Sequence, residues 1–306
     1  SPGLFVATSR GQTLGLGGFE TPSRIGVGVT DWSWLAAFSA QPDPVFCTIL
    51  AVAAALLMGF ARSGIGAGGF VVSPLMVLAL GPTVGIAVVA ALMLPAAATS
   101  WWQHRSDAEP HILRPLIPAA FVGTAVGGVI LWWLVSSGHL ALVHRRLEVV
   151  VAALSLLYVA LVMLRKPLAD LAGENFKATP KGLFLVGTGL GLSQTVANSG
   201  APLMTVYFLC CRIGKEQFVG AQATFLLVQN ILKFIPLSLL GLLHLGNATA
   251  ALVLMPLTFF GSWLGQRFYK NATESLFFAV YVILLVIGFV ASVLLIIGRQ
   301  AVLGWL

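Results

Sequence analysis

The chain has 306 residues, of which 58% are hydrophobic and 9% are charged, and its formal net charge is +7. A soluble domain carries about a quarter charged residues, so this composition excludes a soluble protein and predicts an all-α polytopic membrane protein. The positive charge does not indicate nucleic acid as a partner, because the Lys and Arg residues lie mostly in loops between apolar runs. Three cysteines give neither a disulfide framework nor a metal-ligand spacing, and we expect no metal and no cofactor.

The first 164 residues read as an arm followed by one membrane repeat. Residues 1–44 are rich in Gly and Ser and are interpreted as an extramembrane arm, either with a short interfacial helix over 31–38 or as a flexible leader. A helix of about 16 residues is predicted over 46–61, which is short for a span of roughly 20. A shorter helix is predicted over 74–80, and full spans follow over 83–102, 115–135 and 147–164.

The sequence between the first two helices cannot form a regular helix. Four glycines lie within residues 64–69, and each weakens a helix by roughly 0.8–1 kcal/mol relative to alanine. Pro74 suits the first turn of a new helix. Because exposed backbone is not tolerated in lipid, this break must line a cavity or be buried in protein.

The second half repeats the plan after a polar linker, residues 165–181. A helix over 182–192 leads to a second break, a short helix is predicted over 202–211, and spans follow over 218–240, 249–266 and 276–297, before a tail over 299–306. Two matches support a duplication: Pro74 to Met76 equals Pro202 to Met204, and Phe121 to Gly127 resembles Phe259 to Gly265. The GxxxG spacing inside the second match permits close helix packing.

The charges of the loops favour two inverted repeats, residues 45–164 and 182–298. If each broken element is a re-entrant hairpin followed by three transmembrane helices, one side of the membrane holds most loop cations, which the positive-inside rule prefers. Those cations are Arg105, Arg114, Arg165, Lys166, Lys177, Lys181, Arg212, Lys215, Arg267 and Lys270. This arrangement puts both termini outside, and inverted repeats with broken helices are typical of secondary transporters.

The two breaks supply the parts of an anion-binding site. A helix that restarts within the membrane points unpaired N–H groups and a positive dipole end at the cavity. Alternatively, the glycines serve packing and the polar residues satisfy broken backbone. The candidate substrate-binding residues of the breaks are Gly66, Gly68, Gly69, Ser73, Gln194, Thr195, Asn198, Ser199 and Gly200.

Cations outnumber carboxylates in the predicted membrane core. Arg62 abuts the first break, and Lys233 shares one helix face with Gln222 and Gln229. Intramembrane charges are costly and indicate function, so these four residues are further candidates for substrate binding. Arg62 has the alternative of supporting hairpin carbonyls, and Lys233 that of snorkelling to the interface. The lack of core carboxylates argues against a proton relay but leaves open a coupling ion held by backbone carbonyls.

The glycine-rich break from Gly64 to Pro74, its second copy ending at Pro202, and the stretch from Gly261 to Arg267 resemble the sulfite exporter TauE/SafE family over roughly residues 46–297. The resemblance implies a bacterial-type inner-membrane permease for sulfite or organosulfonates. Two features depart from the family pattern: Arg62 replaces a small or apolar residue, and the second break is predicted to be longer and more polar than a simple glycine run.

The sequence therefore predicts a secondary transporter of small sulfur-containing anions, not an enzyme, with its site between two broken-helix tips. An anion channel, or a carrier of another small organic anion, is the alternative within the same class. Rivals of other classes are an intramembrane enzyme, for which no nucleophile–base pair lies at depth, and a membrane scaffold that transports nothing. The expected partners are a small anion and the lipid bilayer, while a homodimer and a coupling ion stay open.

Overall fold

The computed structural model describes residues 43–64, 69–136, 139–173, 176–243, 245–298 and 301, and all regular secondary structure among them is α-helical. Residues 1–42 of the arm and nearly all of the tail lie outside these residues, as do Gly66 and Gly68. The helices are α1 Pro44–Gly64, α2 Gly69–Leu80, α3 Pro82–His104, α4 Pro110–Val135, α5 Leu140–Met163, α6 Arg165–Ala172, α7 Pro180–Ala197, α8 Ala201–Cys210, α9 Lys215–Leu232, α10 Phe234–Leu239, α11 Leu245–Asn271 and α12 Glu274–Ile297.

Seven segments of the described chain are long and apolar enough to cross a bilayer, so the chain is a polytopic membrane protein as predicted. They lie in α1, α3, α4, α5, α11 and α12, and in α9 together with α10. Two further apolar helices, α2 and α8, are too short to cross. The alternation of long and short helices places one short helix directly after the first helix of each predicted repeat.

Several predicted helices are longer in the structure than the sequence suggested. With 21 residues, α1 is about 31 Å long, so the prediction of a short first helix is wrong. The helix α4 begins at Pro110 and α5 at Leu140, because the His and Arg residues at these ends continue the helices. Part of the predicted linker forms the short helix α6.

The second break is shorter than predicted. Gln194 and Thr195 lie within α7, and only three residues separate Ala197 at its end from Ala201 at the start of α8. The helix continues because polar side chains bond to carbonyls one turn back: Thr195 Oγ1 donates to Gly191 O at 2.9 Å. In the first half, α2 begins at Gly69, so Pro74 lies inside a helix and not in its first turn.

The span predicted over 218–240 is interrupted at Lys233, where α9 ends and α10 begins. Pro236 explains the interruption. It has no N–H to donate to the carbonyl of Leu232, and its ring crowds that carbonyl. Lys233 is therefore the single residue between α9 and α10, and its backbone N–H still donates to Gln229 O at 3.0 Å.

The most extensive helix contacts join the two halves of the chain: α1 packs against α11, and α4 against α7. Glycine allows both contacts, because a Cβ added at Gly261 would overlap the Leu56 carbonyl and one added at Gly123 would overlap the Thr188 carbonyl. The packing role predicted for this GxxxG spacing is confirmed at both positions. The contacts are reciprocal, as a twofold relation between the halves requires, while the inversion of the halves stays a prediction.

Candidate functional site

The two breaks meet in the interior of the helix bundle. The hydroxyl of Ser73 on α2 donates to the carbonyl of Ala197, the last residue of α7, at 2.5 Å. Gly69, the first residue of α2, lies so close to Asn198 that an added Cβ would overlap the Asn198 carbonyl oxygen. The predicted meeting of the two tips is therefore observed for the described part of each break.

Asn198 is the central residue of the second tip. It caps α7 in the left-handed conformation, with φ 52°, which Asn tolerates better than most residues. Its side-chain nitrogen donates to the carbonyl of Ile86 on α3 at 2.9 Å. Because Asn198 is fully buried, this bond ties the tip to a helix of the other half.

Lys233 reaches the same point from the bend between α9 and α10. Its ammonium nitrogen donates to Asn198 Oδ1 at 2.7 Å and lies 3.6 Å from the sulfur of Met93. Met93 is at the midpoint of α3, and Lys233 has no exposed surface. The alternative that Lys233 snorkels to the interface is therefore wrong.

Arg62 is the second basic residue next to a break. It lies in the last turn of α1, and its Nε is buried without a hydrogen-bond partner among the described residues. No carboxylate pairs with either cation in the described chain, where the ion pairs are those of Glu109, Asp107 and Glu148 with neighbouring His or Arg residues. Within the described residues, the two basic side chains next to the breaks therefore have no acidic partner.

Other predicted residues make local bonds or lie apart. Ser199 Oγ donates to Ala197 O at 3.2 Å, as the backbone-satisfying alternative expected. Gln194 is buried close to the second tip, and its Oε1 has no hydrogen-bond partner among the described residues. Gln222, whose buried Nε2 also lacks one, is on α9 about 16 Å from Lys233 along the helix axis.

The side-chain amide of Gln229 forms hydrogen bonds through both its nitrogen and its oxygen. Its Nε2 donates to Gly191 O at 2.9 Å and to Thr195 Oγ1 at 3.0 Å, and its Oε1 accepts from Thr124 Oγ1 at 3.0 Å. These bonds join α9 to α7 and α4. Both amide hydrogens are used, so the side chain links three helices in this structure.

Sequence reasoning did not find Met93, Ile86 or Tyr158. Met93 and Ile86 lie on a uniformly apolar helix, and nothing in their spacing distinguishes them from core residues. Tyr158 donates to Ser193 Oγ at 2.5 Å and thereby fixes α5 against α7. Pro236 was the available signal for the bend that places Lys233.

The comparisons with known proteins give one match. A family model described as "Sulfite exporter TauE/SafE" matches residues 51–291, which is most of the chain. This range includes both tips, Lys233 and the two glycine-mediated helix contacts. No curated protein and no solved structure matches the chain.

Proposed function

The chain belongs to the sulfite exporter TauE/SafE family, a family of membrane transporters, and we propose that it is a secondary transporter of small sulfur-containing anions that binds them between the two broken-helix tips. The substrate class is sulfite or an organosulfonate. Ser73 and Lys233 would form the wall of this site, Asn198 would hold Lys233 in position, and Arg62 would lie at the edge of the site. The proposal assigns substrate binding, within the transport activity of the family, to a defined set of side chains.

The observation that carries the proposal is the uncompensated pair of cations. Among the described residues, no carboxylate pairs with Lys233 or with Arg62. A charge at the centre of a membrane helix costs about 2.5–3.5 kcal/mol on insertion scales. An anion bound beside these side chains would supply the opposite charge that they lack, so the arrangement favours binding of a negative ligand.

The donors near the tips suit an oxyanion. The Lys233 ammonium supplies three N–H groups, of which one is directed to Asn198, and the Arg62 guanidinium can hold two oxygens of one ligand in a fork. A sulfite or sulfonate group presents three oxygens on one sulfur atom and can accept from both cations at once. Gly69 keeps the first tip narrow, since its neighbours leave no room for a side chain, which favours a small headgroup.

Transport requires the site to face each side of the membrane in turn. Lys233 and Asn198 are fully buried here, so a dissolved anion cannot reach them without a movement of the tips. The Ser73–Ala197 bond joins the two tips directly and would break in such a movement. We propose that this bond is part of the closed gate.

A binding and flux experiment tests the proposal. Purified protein should be stabilised thermally by sulfite or sulfoacetate more than by chloride, and proteoliposomes should release or accumulate the same anions. Arg62→Gln and Lys233→Gln should each weaken binding by about tenfold or more, since each removes a charge-assisted contact. Arg105→Gln is the matched control, because Arg105 caps the C-terminal end of α3 and its guanidinium lies 3.8 Å from the centre of the Trp102 ring.

The proposal fails if the protein neither binds nor moves any of these anions. It also fails if Lys233→Gln binds sulfite as tightly as the unmodified protein does. We further propose an inner-membrane location with both termini outside, which a tag on either terminus and an impermeant label would test. Labelling of the tag only after membrane disruption would contradict that orientation.

A further inference from the structure

The ammonium of Lys233 is already bonded to an acceptor from the protein. Asn198 Oδ1 lies 2.7 Å from Lys233 Nζ, and both side chains are without exposed surface. A neutral amide oxygen is a weaker partner for an ammonium than an anion is. One of the three ammonium hydrogens is directed to Asn198 Oδ1, and a substrate anion that draws the ammonium toward itself can replace this contact.

Asn198 is held in place from the other side as well. Its Nδ2 donates to Ile86 O at 2.9 Å, and its backbone occupies the left-handed region that caps α7. The amide oxygen therefore cannot turn away from Lys233 without breaking the bond to Ile86 or changing the tip. Breaking the Lys233–Asn198 hydrogen bond is coupled in this way to the conformation of the second tip. The same tip is held by Ser73, whose hydroxyl donates to Ala197 O.

From this geometry we infer that Asn198 competes with the substrate for the ammonium of Lys233. While the two tips are joined, the amide oxygen of Asn198 accepts a hydrogen bond from Lys233. When an anion accepts that hydrogen bond instead, the second tip is free to move. The inference rests on the proposed function and adds the residue that opposes substrate binding. Asn198 is a positioning residue for Lys233 in this scheme and makes no contact with the bound anion. A ligand that binds one of two arrangements better shifts the population toward that arrangement.

Two substitutions at position 198 separate competition from direct binding. Asn198→Gly removes the competing oxygen and keeps the left-handed backbone, which glycine adopts readily. Asn198→Asp, which also tolerates that backbone, places a carboxylate beside Lys233 as a permanent internal anion. Its second oxygen faces the Ile86 carbonyl, so the variant is judged by anion binding together with its own thermal unfolding midpoint.

The experiment measures sulfite affinity of the full-length protein in detergent by isothermal titration and thermal shift. We expect Asn198→Gly to bind sulfite about tenfold more tightly, because a hydrogen bond to a charged group no longer has to be broken. Asn198→Asp should bind sulfite at least about tenfold more weakly, because the internal carboxylate neutralises Lys233. Asn247→Asp is the matched control: Asn247 is also buried but donates to Leu242 O at 2.7 Å, away from Lys233.

Two results would overturn the inference while leaving the proposed function intact. One is a loss of sulfite affinity in Asn198→Gly as large as that in Lys233→Gln, which would make Asn198 a direct ligand. The other is unchanged sulfite affinity in a folded Asn198→Asp protein. Failure of the proposed function looks different: unmodified protein that binds no sulfite, or binds it regardless of Lys233, overturns both.

Discussion

The substitution Gln229→Leu distinguishes a structural role from a substrate-binding role at a position where the sequence predicted the latter. Gln229 joins α9 to α7 and α4 through three hydrogen bonds. Leu is similar in size and removes all three. It leaves no partner unsatisfied, because Thr124 Oγ1 still donates to Ala120 O and Thr195 Oγ1 still donates to Gly191 O.

The expected loss follows from that count. Interhelical hydrogen bonds in membrane proteins are worth about 0.6 kcal/mol on average, so three of them give about 2 kcal/mol of unfolding free energy. Full desolvation penalties do not add to this figure, since the remaining hydroxyls keep acceptors. Sulfite affinity should stay within about twofold of the unmodified value, because Gln229 has no free hydrogen to offer an anion.

Reversible unfolding in a denaturing detergent, with sulfite titration on the same preparation, checks both numbers. Gln222→Leu is the control: it makes the same chemical change on the same helix at a residue whose Nε2 has no partner in the described part of the chain, and it should be neutral or slightly stabilising. The reasoning is refuted if Gln229→Leu unfolds like the unmodified protein and loses sulfite affinity by tenfold or more. That result would make Gln229 a ligand.

Two further substitutions test the packing and the helix ends. Gly261→Ala should destabilise the protein by about 1–3 kcal/mol, because the new Cβ overlaps the Leu56 carbonyl. Gly189→Ala is the control and should be tolerated, since only the end of a flexible Leu side chain lies nearby. Equal unfolding free energies for the two variants would contradict this account. Thr179→Ala should cost about 1 kcal/mol, because the Thr179 hydroxyl accepts from Gly182 N at 3.1 Å at the start of α7. Thr179→Ser should restore the stability, and a failure to do so would exclude capping as the cause.

The class of protein and the number of long helices were predictable, because an apolar run of about 20 residues is typical of a transmembrane helix. The helix ends were harder. Gln194 and Thr195 looked like loop residues in sequence, yet α7 continues through them because their environment is buried and Thr195 bonds one turn back. Polar side chains favour loops in water, and that preference weakens where the only available partners are backbone carbonyls.

The sequence predicted the kind of site, an anion-binding site, but only some of the residues that meet there. Lys233 was singled out as a rare core cation, and the structure places it on Asn198, a residue singled out for a different reason. No pattern in one sequence joins positions 198 and 233, because their contact depends on how α7 and α9 pack. Met93 was missed for the same reason, whereas Pro236 was a local signal that predicts the bend at Lys233.

The pairing of α1 with α11 has a consequence for how the protein is made. The hydroxyl of Ser63 donates to Ser262 O at 2.7 Å across a separation of 199 residues, and Gly59 lies against the backbone at Thr258. At roughly 5–20 residues per second of synthesis, α1 waits about 10–40 s in the membrane before its partner leaves the ribosome. During that interval its small-residue face is covered only by lipid or by the insertion machinery, so slowing of translation between the two helices should raise degradation of the nascent chain.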